Sequence, residues 1–370
     1  MSRPAADVPP CYATVHPGLE EVAAEEIVRD LKGEVKRIDR GFVVFRVPEI
    51  TPALLSLRTT EDVYLLAWGS DALTYRAVDL DKIERWTARE PDWQHLLRLH
   101  HRVHPKPKGK PTYRLVTQMT GEHGYLRTDA RKALAKGLAG KFPASWKYGE
   151  ENAAVEVWLT IHGKQAICGL RLSDATMRHR TYKVEHLPAS LRPSIAGAMV
   201  RLAGAAPGHL VLDPMCGAGT ILAEQLELAS HRRAGEVRVV GGDLEAAAVK
   251  AAAINLKRVG PSWWLARWDA RRLPLPDASV DRVVCNPPFG IQLLDPEQVG
   301  PLYRRLVTEC DRVAKPGAKV VLLVGDGSLV APAAAARGWQ SQRRLRLRVL
   351  GQPADLSVWR TRTVESTMAE

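Results

Sequence analysis

From Ile195 onward, short apolar runs alternate regularly with helical stretches, and this rhythm restricts the possible fold more than any other feature of the chain. The runs are His209 to Leu212, Val237 to Gly241, Trp264 to Arg267, Val280 to Val284 and Lys319 to Val324. Strands joined through helices run parallel, and the helices then cover both faces of the sheet. The expected fold class is therefore α/β, with a Rossmann-like sheet. The end of the chain differs. Arg343 to Leu350 and Leu356 to Thr361 flank Gly351-Gln352-Pro353 as a hairpin, so the last strand is expected to enter antiparallel. In that hairpin Arg344, Arg346 and Arg348 alternate with Leu345, Leu347 and Val349, which puts arginines on one face and apolar side chains in the core.

The region ahead of Ile195 reads as α+β. Ala13-Thr14-Val15 is strand-like, Leu19 to Ile27 has helical period, and Gly41 to Val47 is β-prone. A short helix near Thr51 to Leu57 and a strand near Asp62 to Trp68 complete a first unit. His100 to Pro111, rich in Pro, Gly, Lys and His, reads as an exposed loop. Tyr113 to Met119 then reads as a strand, Arg127 to Gly140 as a basic helix, and Ala153 to His162 and Gln165 to Leu172 as two strands, a second α+β unit. A chain of 370 residues has room for these modules.

Composition narrows the partners. A net charge of +12 gives a field that attracts polyanions, so RNA or DNA is the default partner, with a merely solvated basic surface as the alternative. The most apolar run, Val320 to Val324, is far too short to cross a bilayer, and a cytoplasmic, unanchored protein is expected. Cys11, Cys168, Cys216, Cys285 and Cys310 are scattered and odd in number, which suggests neither a disulfide framework nor a zinc site. His100, His101 and His104 have no carboxylate or thiol nearby in sequence, so no metal is expected.

Chemistry concentrates at the strand ends. In Leu210-Val211-Leu212-Asp213-Pro214-Met215-Cys216-Gly217-Ala218-Gly219-Thr220 a strand ends in an acid and turns through glycines into a helix. Glycine allows close backbone approach to a ligand, and the helix start favours a carboxylate or phosphate. Asp213 would repel a pyrophosphate but suits a sulfonium and an ammonium; a plain tight turn is the alternative. Asp243, ending the next strand, is placed to accept from both ribose hydroxyls, or to cap a helix. Asp269, after the third, could accept from an adenine amine or be a surface turn acid.

The fourth strand runs into Asn286-Pro287-Pro288-Phe289. Paired prolines have no N–H to donate, so the chain leaves the sheet extended with free carbonyls. An aryl amine has its lone pair delocalised into the ring, and the group must be held and pyramidalised rather than deprotonated. The Asn286 side-chain oxygen and the Pro287 carbonyl can accept both amine hydrogens, and Phe289 offers a face for an extruded base.

This series, Asp213 to Thr220, Gly242-Asp243, Asp269 and Asn286-Pro-Pro-Phe289, resembles that of class I amino-methyltransferases. Arg178-His179-Arg180-Thr181-Tyr182-Lys183 through Leu191-Arg192-Pro193-Ser194-Ile195-Ala196 is similar to the start of the catalytic domain in THUMP-containing RNA methyltransferases. Ala13 to Glu21 is similar to the ferredoxin-like start of the same group, and Tyr113 to Leu172 to a THUMP domain. The resemblance is thus to THUMP-containing class I tRNA guanine-N2 methyltransferases, those modifying the acceptor-stem guanosine at position 6. It implies a ferredoxin-like domain over 1–72, a THUMP domain over 73–175, a linker over 176–195 and a Rossmann-like methyltransferase domain over 196–370.

What the resemblance implies about the site can be stated residue by residue. S-adenosylmethionine is the donor, its methionine end near Ser194, Asp213 and the turn Cys216, Gly217, Gly219 and Thr220. Its ribose lies at Asp243 and its adenine near Asp269 and Ala270, with Asn286 beside it. Asn286, Pro287 and Phe289 act on the guanine. The THUMP part captures the tRNA 3′ end and holds the acceptor stem, and a monomer is expected. Relatives acting on guanine 10 usually have Asp at the position of Asn286, which favours position 6; Ile291-Gln292, where relatives often carry charge, departs from the pattern. Position 10, a ribosomal RNA guanine, an adenine amine, and a non-catalytic RNA-binding chaperone are the alternatives. Phosphate contacts are expected from Lys106, Lys108, Lys110, Arg127, Arg131, Lys132, Arg178, Arg180 and Lys183. Trp263 and Trp264 are expected in a core or interface rather than as stacking platforms.

Overall fold

The computed structural model describes residues 8–109, 111–151, 153–188, 190–232, 235–290 and 296–363. Two compact units form: the described residues of Met1–Thr14, Ala24–Leu57 and Asp62–Met177 make the first, and those of Val15–Ala23, Arg58–Glu61 and Arg178–Glu370 the second.

The amino-terminal elements are β1 (Cys11–Val15), α1 (Glu20–Leu31), β2 (Glu34–Asp39), β3 (Phe42–Arg46) and β4 (Thr60–Ser70). They are followed by α2 (Val78–Arg89), α3 (Trp93–Val103), β5 (Thr112–Thr120), α4 (Arg127–Leu138), β6 (Lys147–Tyr148), β7 (Val155–His162), β8 (Gln165–Arg171) and α5 (Ala175–His179). Both α+β segments contribute to one eight-stranded sheet, ordered β2-β3-β1-β4-β8-β7-β5-β6. The join is antiparallel pairing of β4 with β8. An aromatic cluster stabilises it: Tyr12 stacks on Tyr64 at 4.5 Å, and Tyr64 meets Trp158 edge-on at 5.9 Å.

One reading is corrected here. The stretch before the Lys-Pro loop is helical: α3 begins at an Asp92 cap that accepts from the His95 N–H, and it runs through His100 to Val103. His100 is buried, and burial pushes its imidazole down to about 3. The short helix expected near Thr51 to Leu57 is present as a 3-10 helix, Pro52–Ser56.

The second unit contains α6 (Pro193–Ala203), β9 (Leu210–Asp213), α7 (Thr220–Arg232), β10 (Arg238–Asp243), α8 (Ala246–Leu256), β11 (Trp263–Arg267) and β12 (Val280–Cys285). It ends with α9 (Pro296–Val313), β13 (Ala314–Val324), α10 (Ala331–Ala335), β14 (Gln340–Val349) and β15 (Gln352–Arg360). The sheet order is β11-β10-β9-β12-β13-β15-β14. The first five strands pair in parallel, and β15 enters antiparallel against β13, as the hairpin pattern predicts. The order reverses at β9, whose neighbours are β10 and β12, so a crevice opens at the carboxyl ends of these strands. Its floor is packed by Leu212, Val283, Leu322, Tyr303 and Leu306. Trp264, expected in a core or interface, is 53% exposed on the edge strand β11. Among the described residues, no helix is long and apolar enough to cross a membrane.

Candidate active site

Asp213, the last residue of β9, is buried, and its carboxylate accepts from the Met215 N–H at 3.2 Å. Burial raises the acid to about 8, the Met215 bond draws it down, and the nearby charge of Asp243 adds to the rise. A cation in the crevice would relieve that cost. The turn that follows is tied to β10: the Cys216 N–H donates to the Gly242 carbonyl at 2.9 Å, and the Gly217 N–H to Asp243 Oδ2 at 2.9 Å. Gly219 has φ +74, and a Cβ there would lie 3.0 Å from the Ala252 Cβ, so the turn and α8 approach as closely as glycine permits. Asp243 also accepts from the Glu245 N–H at 3.1 Å, and its remaining lone pairs can accept from two hydroxyls.

Beyond β12 the Asn286-Pro-Pro-Phe289 corner is clamped from beneath. The Tyr303 hydroxyl of α9 donates to the Pro288 carbonyl at 3.0 Å, and Phe289 packs on Gly325, where an added Cβ would stand 3.2 Å from it. Asn286 Oδ1 is buried with no hydrogen-bond partner among the described residues. An orphaned acceptor of this kind costs about 1–3 kcal/mol, and it marks a place where a donor group fits.

A cavity of about 1410 Å³ joins these features. Asp213, Cys216, Gly217 and Thr220 line it from the glycine turn, Asp243, Asp269 and Ala270 from the next two strand ends, and Asn286, Pro287 and Phe289 from the corner. Two expected residues do not reach the wall: Ser194 is buried in the first turn of α6, and Gly219 faces α8. Asp269 is on the wall, with Arg271 bidentate on its carboxylate, at 2.7 Å to Oδ2 and 3.0 Å to Oδ1.

Leu187, Pro188, Ser190 and Leu191 close the cavity from the segment ahead of α6. What holds this strap is Asn255 of α8, fully buried in an otherwise alanine-rich helix. Its amide nitrogen donates to the carbonyls of Ala218 and Glu185 at 2.9 and 3.1 Å, and its oxygen accepts from the N–H groups of Val184 and Glu185 at 3.0 and 2.9 Å. One side chain therefore fixes strap to glycine turn. Its only sequence signal is a polar residue on the apolar face of a helix.

Arg180 and Lys183, expected to contact phosphate, are structural instead. Lys183 is buried and donates to the Leu191 carbonyl at 2.6 Å, closing the strap. Arg180 is buried against Glu224, at 3.1 Å, and donates to the Arg58 carbonyl at 2.8 Å. Glu224 is fully buried on α7 and also takes Arg58 through both oxygens, at 2.6 and 2.8 Å, and the Tyr182 hydroxyl at 2.7 Å. Arg178 is half-buried at the end of α5. Lys106, Lys108, Arg127, Arg131 and Lys132 are exposed on the first unit, and Lys110 lies outside the described residues, as do Ile291 and Gln292.

The arrangement offers a carboxylate suited to a cation, a second suited to a diol, and an amide oxygen awaiting a donor, around one cavity. Residues 180–351 match the family model of the RMKL-like methyltransferase domain, UPF0020. The chain is 30% identical over 316 residues to the tRNA (guanine(6)-N2)-methyltransferase of Thermus thermophilus, covering 84% of this chain and 88% of that protein. It is 31% identical over 230 residues to the Homo sapiens tRNA (guanine(6)-N(2))-methyltransferase THUMP3, covering 58% of this chain and 44% of that one. The crystal structure of TrmN from Thermus thermophilus is similar with a TM-score of 0.75 at 28% identity, covering 95% of this chain and 99% of that one.

Proposed function

This chain belongs to the S-adenosylmethionine-dependent tRNA guanine-N2-methyltransferases, and from that premise we propose that it forms N2-methylguanosine at position 6 of the tRNA acceptor stem. The observation that carries the reading is the orphaned Asn286 Oδ1 on the wall of the cavity that Asp213 and Asp243 also line. The motif resemblance favours position 6 over position 10, because asparagine stands at 286.

The bound donor supplies a methyl group made electrophilic by its sulfonium. Asp213 would hold the donor's positive end, Asp243 its ribose, and Ala270 with Asp269 the border of its adenine. Asn286 Oδ1 and the Pro287 carbonyl accept the two amine hydrogens of guanine, aiming the nitrogen lone pair along the line of displacement. Phe289, braced on Gly325, offers a face to the extruded base. Tyr303 keeps the corner from yielding through its bond to the Pro288 carbonyl. The first unit, read as a ferredoxin-like part over 1–72 and a THUMP part over 73–175, would receive the tRNA 3′ end, with Lys106, Lys108, Arg127, Arg131 and Lys132 as its exposed cations. Five free, buried thiols suit work in the reducing cytoplasm, and the fold is read as acting as a monomer.

The test is incubation of the chain with S-adenosylmethionine and unmodified tRNA transcripts that carry guanosine at positions 6 and 10, followed by nuclease digestion and mass spectrometry of the fragments. N2-methylguanosine is expected in the position 6 fragment. Methylation confined to position 10, or found on adenine, would refute the assignment. Asn255→Ala tests the strap in the same preparation. It deletes four hydrogen bonds and leaves buried backbone groups unpaired, so a stability loss of about 1–3 kcal/mol in urea unfolding should accompany weaker donor binding by calorimetry.

A further inference from the structure

The hairpin of β14 and β15 carries a surface that the chemistry above does not use. Arg344, Arg346 and Arg348 are exposed on one face of β14, while Leu347 on the other is buried. Residues two apart on a strand recur at about 6.7 Å, so the three arginines are spaced evenly along one strand face. The row ends at the catalytic cavity, because Val349, Leu350 and Gln352 at the hairpin tip line it.

Arginines on an edge strand often serve only to discourage edge-to-edge pairing. Here the edge is already occupied in this stretch. The His16 ring donates to the Arg348 carbonyl at 2.9 Å, and Gly18 presses so near that a Cβ would sit 2.4 Å from the Arg346 carbonyl. The backbone is covered and stiffened while the cations remain outside. Among the three, Arg344 is engaged, bidentate on Asp355 at 2.7 and 3.1 Å. Arg348 donates to the Gly351 carbonyl at the tip, at 2.5 Å, and Arg346 faces Asp355 across the strand pair without the bidentate grip of Arg344. The face keeps a positive excess along a line that leads into the site.

We propose that Arg346 and Arg348 form a phosphate track for the RNA strand whose nucleotide enters the cavity. This rests on the reading of RNA as the substrate. Exposed arginines spaced along one strand face suit a linear polyanion, and phosphate contacts of this kind set register rather than sequence choice.

The experiment compares the full chain with its R346A/R348A and R346K/R348K variants. Binding of an unmodified tRNA transcript is measured by filter retention from about 50 to 200 mM salt, and donor-site integrity by calorimetry with S-adenosylhomocysteine. The alanine pair should weaken RNA binding and flatten the slope of log K against log salt by roughly 0.7–0.9 for each lost phosphate, with S-adenosylhomocysteine affinity unchanged; the lysine pair should retain most of the slope. A wild-type chain that binds and methylates tRNA, with an alanine pair indistinguishable from it, overturns the track alone. A lysine pair as impaired as the alanine pair also overturns it, since the arginines would then be shaping the hairpin. A wild-type chain that neither binds nor methylates tRNA overturns the underlying reading instead.

Discussion

Asn286→Ala should lower the rate of methyl transfer by about a hundredfold or more while leaving S-adenosylhomocysteine affinity within about twofold, since a two-state site read this way separates holding the amine from holding the donor. The reason is local. Asn286 Oδ1 is buried without a partner among the described residues, so the substitution takes no hydrogen bond away from that oxygen there. The loop itself stays in place, because Tyr303 holds the Pro288 carbonyl and Phe289 rests on Gly325, neither through Asn286. Single-turnover kinetics with saturating donor and calorimetry on the same preparation separate the two quantities. Equal loss of both would mean that Asn286 shapes the donor pocket rather than the acceptor.

Glu224→Ala should cost about 3–5 kcal/mol of stability, the largest effect expected of any single change, because Arg58 and Arg180 would lose the buried carboxylate they share, with Arg58 keeping its contact to the less buried Glu227 at 2.9 Å. Arg58 and Arg180 converge on Glu224 from segments far apart in sequence, and Tyr182 adds its hydroxyl. Although burial disfavours the charged acid, the charges of Arg58 and Arg180 and the hydrogen bonds of Arg58 and Tyr182 outweigh it, so Glu224 is held below the ordinary carboxylate range. A carboxyl depressed in the folded state contributes fully above its unfolded value and loses that contribution as pH falls through the folded one. The thermal deficit of Glu224→Gln relative to wild type should therefore be full at neutral pH and shrink below the ordinary carboxylate range. Scanning calorimetry from neutral to acid pH checks this; a deficit that does not change with pH would assign the loss to packing.

Much of the catalytic unit was legible in the sequence because its signals are local. Strand ends with an acid, a glycine turn and an Asn-Pro-Pro-Phe corner each announce themselves within a few residues, and the hairpin is marked by alternating Arg and Leu. What escaped depends on distance along the chain. Arg180 and Lys183 read as surface cations, since nothing nearby in sequence shows that Glu224 and the Leu191 carbonyl await them. Arg58 lies 166 positions from Glu224, and no local pattern pairs them. Asn255 hides in a helix whose alanines give a weak periodicity, though a lone amide on the buried face was a readable hint. In α3, histidines next to a Pro-Lys loop suggested polarity, while the Asp92 cap and the buried Leu96, Leu97 and Leu99 decide for a helix.

The geometry at the corner can be tested by one structure, that of the chain with S-adenosylhomocysteine and a tRNA acceptor stem. The account predicts the guanine turned out of its stem, with its exocyclic nitrogen within hydrogen-bonding distance of Asn286 Oδ1 and the Pro287 carbonyl, and the donor product against the Cys216 to Thr220 turn. A guanine still stacked in the helix, or a donor product bound away from that turn, would contradict it.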